Sequence, residues 1–392
     1  MADKEVGHNE SQANGGQNLQ STKIIDSHVH LSDIDGIPGV LQTARELDFT
    51  AVNLVCISER EHINANPAAF VAKGLYPDSC FVFAGLDLSS IRTHGNVPSP
   101  PLDKQIDTLI QIGADGLKML EGKPDCRKEL GIGLDHPELE PLFARLEETR
   151  FPLVLHIADP EEFWDPALLP VWAAEAGWGY DDSFPSKGQL YLEVERILKR
   201  HPLLRVVFPH FMFLSRHLSS AAGLLDTYPG VHLDLAPGIE LLYNLSEDPE
   251  FTREFFMRYY DRILFGTDID GSLTLTQAKV RSEILCRWLS TEDEFRLPAG
   301  ADMLLGKPED GIMRGISLPE HILDAIMAGN FERFVSLRPS RLHCVLAAEE
   351  MQRQATSESK IRGIPVENTT AAQAAVALAT AQVAPEGASS AF

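Results

Sequence analysis

Four histidines and one aspartate stand at or just beyond the ends of short apolar segments of the chain. Imidazole nitrogens and carboxylate oxygens bind divalent metal ions and move protons in many enzymes. A single histidine at such a position is usually a hydrogen-bonded core residue, but five residues at equivalent positions favour a shared site. The five residues are His28, His30, His156, His210 and Asp268.

The first two histidines form a His-x-His pair in the segment Asp26-Ser27-His28-Val29-His30. Side chains two residues apart on a strand point to the same side, so His28 and His30 are expected to project together. Two neighbouring imidazoles in an apolar core are explained by a divalent metal, because neutral imidazole is a good ligand for zinc and similar ions. Asp26 is expected on the same face, in a supporting role.

Short apolar segments alternate with amphipathic helical segments through most of the chain. Near-continuous apolar runs are typical of parallel strands that are buried on both faces. The predicted strands are residues 23–31, 51–57, 80–86, 115–120, 153–157, 205–210, 231–235 and 262–267. The predicted helices are residues 40–47, 101–111, 139–149, 188–200, 218–228 and 250–260.

Eight strands alternating with helices predict an α/β fold, a (β/α)8 TIM barrel. A doubly wound open sheet is the alternative, but no G-x-G-x-x-G or G-x-x-x-x-G-K loop follows the first strand. In a barrel, the ends of the strands and the loops that follow them form the active-site face. The five candidate residues are therefore predicted to meet at one end of the barrel.

The domain boundaries follow from changes in composition. Residues 1–21 are rich in Asn, Gln, Gly and Glu and predict a disordered arm. Residues 22–348 are expected to form the barrel domain. Residues 349–392 are predicted to be a disordered or partly helical tail, with a short helix around 371–383 as the helical alternative.

The composition excludes several classes of function. The chain has 392 residues, with 34 Lys and Arg against 57 Asp and Glu, and a net charge of −23. Such an acidic surface repels nucleic acid and anionic membranes, so a small-molecule substrate is the expected partner. No apolar run is long enough for a membrane span, and the start of the chain does not resemble a secretory signal. Five scattered cysteines favour a reducing cytoplasm.

Two long connections, residues 158–185 and 236–249, follow the fifth and seventh predicted strands. Long loops on the active-site face often line the substrate. The first loop holds three of the four tryptophans. Trp164 and Trp178 are predicted to contact the substrate.

Several segments resemble the amidohydrolase superfamily, in particular its amidohydrolase-related (amidohydrolase 2) branch. This branch contains metal-dependent TIM-barrel hydrolases and also enzymes similar to aminocarboxymuconate-semialdehyde decarboxylase. The resemblance covers roughly residues 24–346 and is specific for the superfamily but not for a substrate. The matching segments are IDSHVH at 25–30, GLK at 116–118, RVVFPH at 205–210, ILFGTD at 263–268 and GNFERF at 329–334.

The resemblance implies a site for one divalent metal ion, with Zn²⁺ expected and Mn²⁺ as the alternative. By position, His28, His30 and His156 would bind the metal, and Asp268 would bind it or lie beside it. Asp268 would also take a proton from the attacking water. The resemblance implies that His210 polarises the scissile carbonyl or relays a proton, with a ligand role as a further alternative.

Lys118 ends the fourth predicted strand, where some relatives carry a carboxylated lysine that bridges two metals. In this chain, the favoured interpretation is that the ammonium of Lys118 binds a substrate anion or pairs with Asp268. The structural alternative is a lysine that is paired with carboxylates inside the barrel.

The first functional hypothesis is a metal-dependent hydrolase in which activated water attacks a C–N or C–O bond. The alternative is a lyase, a non-oxidative decarboxylase or hydratase of a small aromatic or unsaturated acid. For the lyase, Lys118, Arg60 or Arg127 would hold the substrate carboxylate. A barrel with purely structural histidines is the third hypothesis. A homodimer is one expected assembly, since relatives are often dimers.

Overall fold

The computed structural model describes residues 23–57, 64–92, 97–298 and 300–381. The predicted N-terminal arm and Arg60 lie outside these residues. Eight strands form one sheet in which each strand pairs in parallel with the next along the chain. The strands are β1 (Ile25–Val29), β2 (Ala51–Val55), β3 (Cys80–Ala84), β4 (Gly116–Gly122), β5 (Leu153–Ile157), β6 (Val206–Phe208), β7 (Val231–Asp234) and β8 (Ile263–Leu264).

The sheet closes where the segment that follows β8 meets β1. The backbone N–H of Ser27 donates to the carbonyl of Phe265 at 3.0 Å, and the N–H of Asp268 donates to the carbonyl of His28 at 2.9 Å. The carboxylate of Asp26 accepts the backbone N–H of Thr267 at 3.0 Å and also its hydroxyl. The TIM barrel is therefore confirmed, and Asp26 ties the first strand to the last.

Helices cover the outside of the barrel. Six predicted helices are present with closely similar bounds, whereas the helices after β2 and β8 were not predicted. The helices up to residue 290 are α1 (Ile37–Glu46), α2 (Asn66–Leu75), α3 (Leu102–Ile112), α4 (Pro124–Leu130), α5 (Glu140–Thr149), α6 (Val171–Glu175), α7 (Lys187–Arg200), α8 (Leu218–Thr227), α9 (Leu241–Leu245), α10 (Pro249–Tyr259) and α11 (Leu275–Ser290). A two-stranded pair, β9 (Glu294–Phe295) and β10 (Met313–Arg314), follows α11.

A helical segment that contains the matching residues 329–334 closes the end of the barrel where the strands begin. This segment comprises α12 (Glu320–Asp324), a π-helical turn and α13 (Asn330–Phe334). Phe331 and Phe334 are buried in one apolar cluster with residues of six barrel strands. The side-chain amide of Asn330 donates to the carbonyl of Ile263 at 2.6 Å. The closing segment is thus fixed to the start of β8.

The C-terminal region differs from the predicted tail. Two helices, α14 (Cys344–Arg362) and α15 (Thr370–Ala381), pack against each other, and α15 also packs against α2. Met351 and Leu378 are almost fully buried. The predicted boundary at residue 348 lies inside α14, so residues 349–381 belong to the packed body. The partly helical alternative describes them, and residues 382–392 lie outside the described part of the chain.

Candidate functional site

Three of the predicted residues converge at the end of the barrel where the strands finish. His28 lies in β1, His30 follows this strand, and Asp268 follows β8. One potential ligand atom from each residue lies within 4.8 Å of the other two. Nε2 of His30 is 3.1 Å from Oδ1 of Asp268, and Nε2 of His28 is 3.6 Å from the same oxygen.

The two histidines lie side by side, as the His-x-His spacing predicts, although β1 is not a regular strand. The ring centroids of His28 and His30 are 5.1 Å apart. The pairing of β1 with β2 shifts register between Asp26 and Val29. Such an irregularity redirects the side chains that follow it. The simple alternation used in the sequence therefore locates the pair but does not describe the backbone that holds it.

Hydrogen bonds determine which ring nitrogen of each histidine carries the proton. Nδ1–H of His28 donates to Asp234 at 2.8 Å, and Nδ1–H of His30 donates to the carbonyl of Val55 at 2.9 Å. When it is neutral, as a metal ligand must be, each ring would therefore present the lone pair of Nε2 toward Asp268. The buried Nε2 of His28 has no hydrogen-bond partner.

A divalent cation fits this arrangement. Two lone pairs and a carboxylate oxygen that face one another repel, and a bound cation removes that repulsion. Two imidazoles and a carboxylate form a donor set that suits zinc and manganese alike. The residues therefore fit the metal that the resemblance implies.

Asp268 is held in an unusual backbone conformation, with φ of 55°. The guanidinium of Arg281, which is 1% exposed, donates to the carbonyls of Thr267 and Asp268. Arg281 is itself paired with Asp302. Burial would raise the pKa of Asp268, but the hydrogen bond that a protonated His30 donates, and the charges that His30 and His28 carry when protonated, hold it well below its usual range. Asp268 is thus fixed as a carboxylate at the site.

Asp234, at the end of β7, links two of the candidate histidines. One of its oxygens accepts Nδ1–H of His28, and the other accepts the backbone N–H of His210 at 2.8 Å. Carboxylates of this kind fix the tautomer and orientation of histidines that bind metals. Asp234 was not predicted, although a carboxylate at the end of a predicted strand was the available signal.

His210 lies in a turn of four consecutive residues in the left-handed region, with φ values from 51° to 56° for His210 to Phe213. Its Nδ1–H donates to the carbonyl of Ala236 at 3.1 Å. The ring stacks on Phe213 at a centroid distance of 5.4 Å and lies 5.3 Å from the ring of His28. The turn therefore brings the ring of His210 close to that of His28.

His156 lies across the same cavity but outside the three-residue group. Its Nε2–H donates to the carbonyl of Ala158 at 2.9 Å and lies 3.4 Å from Oδ1 of Asp159. The ring centroid is 5.0 Å from that of His210. In this orientation, Nε2 of His156 points at the backbone of its own loop.

Lys118 is 2% exposed and lines the cavity beside the histidines. No described residue forms a hydrogen bond or ion pair with its ammonium group. Burial lowers the pKa of Lys118 to about 8, against the opposing charges of Asp234, Asp268 and Glu121. The internal ion pair of the structural alternative is thus absent among the described residues.

The cavity above these residues has a volume of about 230 Å³. Of the two tryptophans predicted to contact the substrate, Trp178 lines this cavity together with Trp172, whereas Trp164 lines a separate depression with Tyr180 and Phe184. Lys123 also lines the cavity, where it pairs with Asp159 and lies 4.3 Å from the ring of Trp178. The aromatic loop is therefore a cavity wall, although only part of it faces the site.

Two further charged residues are Glu240 and Arg127. Glu240, only 9% exposed, lies at a neighbouring cavity of about 640 Å³ that shares Trp172 and Ile239 with the first. Neither carboxylate oxygen of Glu240 has a hydrogen-bond partner among the described residues, and burial raises the pKa of Glu240 to about 7. Arg127, a candidate clamp in the lyase hypothesis, instead pairs with Glu193 at 3.0 Å.

Among the described residues, no helix has the length and apolar character needed to cross a membrane. The search of curated proteins gave no match. Solved structures similar to this chain include an uncharacterised TIM-barrel protein from Bordetella bronchiseptica, at 14% identity and a TM-score of 0.48, covering 80% of this chain and 98% of that one. Another is a 5-carboxyvanillate decarboxylase from Sphingomonas paucimobilis, at 12% identity and a TM-score of 0.48, covering 80% and 99% of the two chains. A third is a probable 2-pyrone-4,6-dicarboxylic acid hydrolase from Acinetobacter baumannii, at 12% identity and a TM-score of 0.47, covering 80% and 98%.

The family comparison covers more than half of the chain. The amidohydrolase-2 family model, described as Amidohydrolase, matches residues 96–337. This range includes β4 to β8 and the closing segment, and it lies within the region of resemblance. The chain therefore belongs to the amidohydrolase family, whose members are metal-dependent enzymes.

Proposed function

We propose that this protein is a metal-dependent hydrolase that cleaves a C–N or C–O bond of a small organic substrate. The observation that carries the proposal is the convergence of the Nε2 atoms of His28 and His30 on the carboxylate of Asp268. All three residues line a cavity large enough for a small molecule. His28, His30 and Asp268 are the proposed core of the metal site, and one zinc ion is the proposed occupant.

A divalent ion in this position would supply Lewis acidity that makes a water molecule nucleophilic at neutral pH. Asp268 would accept the proton of the attacking water and deliver it to the leaving nitrogen or oxygen as the scissile bond breaks. With its Nδ1–H bound to the carbonyl of Ala236, neutral His210 has a lone pair at Nε2. This tautomer suits His210 to proton relay or metal binding rather than to hydrogen-bond donation to a carbonyl.

Lys118 is proposed to bind an anionic group of the substrate. A buried ammonium without a partner is unfavourable, and a substrate carboxylate or a developing oxyanion would compensate its charge. Lys118 lies in β4, between β3 and β5 in the sheet, so a rigid element holds its ammonium group. A carboxylated Lys118 that bridges two metals is the alternative, and the metal count separates the two.

His156 is proposed as a further metal ligand, which requires its ring to leave the carbonyl of Ala158. Titration with Co²⁺ tests this role, because the visible absorption of Co²⁺ depends on the number and type of its ligands. We expect a different spectrum for His156→Ala than for the unchanged protein. Identical spectra would remove His156 from the ligand set.

A lyase is the second candidate, and the two cavity lysines favour it. Lys118 and Lys123 would hold the carboxylate of a small acid in place while its C–C bond breaks. Carbon dioxide would leave, and the remaining carbanion would take a proton from the site. Because Lys123 is already paired with Asp159, the hydrolase remains the first proposal.

Metal analysis by mass spectrometry tests the site first. Protein purified without added metal or a metal-affinity column is compared with the His28→Ala/His30→Ala variant. We expect about one zinc or manganese ion per chain, lost in the variant. Two ions would support the carboxylated lysine, and no ion in either protein after incubation with zinc and manganese would refute the metal-dependent proposal.

Substrate panels then separate the two reactions. Cleavage of esters, lactones or amides without release of carbon dioxide supports the hydrolase. Release of carbon dioxide from hydroxybenzoates, with no cleavage of the first panel, supports the lyase. A cytoplasmic location and a homodimer accompany the proposal as expectations, which fractionation and sedimentation can test.

A further inference from the structure

A separate cavity of about 320 Å³ lies at the opposite end of the barrel from the histidines. Its walls come from the segments that lead into β5 to β8 and from the closing segment. Arg205 immediately precedes β6, and Arg262 immediately precedes β8. The charged and titratable residues that line the cavity are Arg150, Arg205, Arg262, Arg333, His232 and Asp261.

Two of the arginines are fixed by backbone carbonyls. Arg205 donates to the carbonyls of Arg150 and Phe334, and its guanidinium lies 4.9 Å from the ring centroid of Phe334. Arg262 donates to the carbonyl of Val231 at 2.8 Å. Both side chains thus have defined positions before any ligand is present.

The positive charge of this cavity is not compensated. Among the described residues, none of the four arginines forms an ion pair with a carboxylate, and Asp261 is the only acidic residue in the lining. The pKa of His232 falls to about 3, first because the ring is buried and then because Arg262, Arg205 and Arg333 lie near it. Four unpaired guanidinium groups are unexpected in a chain with a net charge of −23.

A purely structural role accounts for only part of this arrangement. Carbonyl binding accounts for Arg205 and Arg262. It does not account for Arg150, which is exposed and whose guanidinium forms no hydrogen bond or ion pair with any described residue. Arg333 is also exposed, and within the described part of the chain it donates only to the side chain of Asn330. Both guanidinium groups remain accessible at the cavity.

We propose that this cavity binds a small phosphate-bearing anion. Guanidinium groups bind phosphate through paired hydrogen bonds, and several of them around one cavity suit an anion with more than one charge. The volume is that of a small-molecule site, and the acidity of the rest of the chain disfavours a long polyanion such as nucleic acid. The proposal is independent of the metal site, which lies at the other end of the strands.

Calorimetric titration with inorganic pyrophosphate tests the proposal. The Arg150→Gln/Arg333→Gln variant should bind at least about tenfold more weakly, since charge-assisted hydrogen bonds to the phosphate groups are lost. The matched control is Arg196→Gln, which removes an exposed arginine that pairs with Asp135 on another surface. This control should bind pyrophosphate as the unchanged protein does.

Two further measurements establish where pyrophosphate binds and whether its phosphate groups are required. The His28→Ala/His30→Ala variant should bind pyrophosphate normally, whereas loss of binding in this variant would mean that pyrophosphate binds at the metal site and would refute the proposal. Citrate serves as a multivalent anion without phosphate, and it should bind more weakly than pyrophosphate. Equal affinity of the double arginine variant and its control, or no binding of pyrophosphate at about 1 mM, would also refute it.

Discussion

The carboxylate of Asp234 accepts Nδ1–H of His28 at a distance of 2.8 Å, and both side chains are 1% exposed. The bond joins β7 to β1 across the interior of the barrel. The same carboxylate accepts the backbone N–H of His210. One buried anion thus sets the tautomer of a proposed metal ligand and the position of a proposed proton carrier.

Asp234→Asn should weaken metal binding by about 10–100-fold, as expected when a carboxylate behind a metal-binding histidine is lost. Asparagine keeps the shape but removes the charge that makes Nε2 of His28 a stronger donor to a metal. Competition with a chromophoric chelator measures the affinity. Asp226→Asn, an exposed aspartate paired with Arg258, is the control and should bind metal normally. Unchanged affinity in Asp234→Asn would exclude this role.

Asp268→Asn should retain much of the metal but lower turnover by about 100-fold or more. The amide can still place an oxygen near the metal, but it cannot accept the proton of the attacking water. Metal content and steady-state rates are measured on the same preparation. Asp270→Asn changes a second aspartate that lines the same cavity and should leave the rate nearly normal. A nearly normal rate in Asp268→Asn would show that another group accepts the proton.

Lys118→Met should raise the melting temperature by a few degrees and, for anionic substrates, raise KM by about tenfold or more. Methionine fills a similar volume without burying an unpaired charge. Lys104→Met replaces a lysine whose side chain is 66% exposed and should change neither quantity. A lower melting temperature together with an unchanged KM would show that Lys118 is an internally satisfied structural residue.

Trp178→Ala and Trp164→Ala should differ in their effects, because the two tryptophans of the same loop face different cavities. We expect Trp178→Ala to raise KM several-fold, since it removes part of the wall of the metal cavity. Trp164→Ala should leave KM close to normal. The opposite order of effects would show that the substrate extends over the outer surface of the loop.

Glu240→Gln tests the pH dependence of stability. The folded-state pKa of Glu240 is raised from 4.5 to about 7, so its contribution is fully present below about pH 4.5 and is lost as the pH rises through about 7. Glutamine imitates the neutral form. At pH 8 the variant should therefore be more stable than the unchanged protein by on the order of 1–3 kcal/mol, and the difference should shrink toward pH 5.

Denaturant unfolding at both pH values measures this difference. Glu247→Gln, whose side chain is 66% exposed, is the control and should show no such dependence. A stability difference for Glu240→Gln that is the same at both pH values would exclude titration of Glu240 as its cause.

The barrel could be predicted because most of its strands are near-continuous apolar runs. Buried parallel strands have this property, and all eight were located from it. Helix α11 was not predicted because its buried face is not uniformly apolar. This face includes Arg281 and Ser282. Arg281 is inside because it pairs with Asp302 and binds the backbone at Asp268, contacts that join distant parts of the chain.

Helix α14 was missed for a related reason, whereas α15 corresponds to the helix offered as an alternative around 371–383. The buried face of α14 includes Gln354, Ser357 and Glu358, so it lacks the apolar spacing of an amphipathic helix. Glu358 accepts backbone N–H groups of Thr370 and Ala371 at the start of α15. Local sequence patterns cannot reveal such a partner, because it depends on how the two helices meet.

The candidate residues at the strand ends could be predicted from the sequence, whereas the residues and loops that surround them could be predicted only in part. Histidines at the ends of apolar runs identified the end of the barrel where they meet. The orientation of His156, the support from Asp234 and the direction of Trp164 depend on loop geometry and on contacts between strands. These are properties of the folded backbone rather than of residue spacing.

The left-handed turn from His210 to Phe213 makes the position of His210 depend on the neighbouring strand. Left-handed backbone costs about 1–2 kcal/mol for each residue with a side chain, so the isolated segment after β6 would adopt another conformation. The groups that hold His210 in the turn, the carboxylate of Asp234 and the carbonyl of Ala236, belong to the next strand and its loop. The conformation of the turn therefore depends on the pairing of β7 with β6, and a change that disturbs β7 is expected to displace His210 as well.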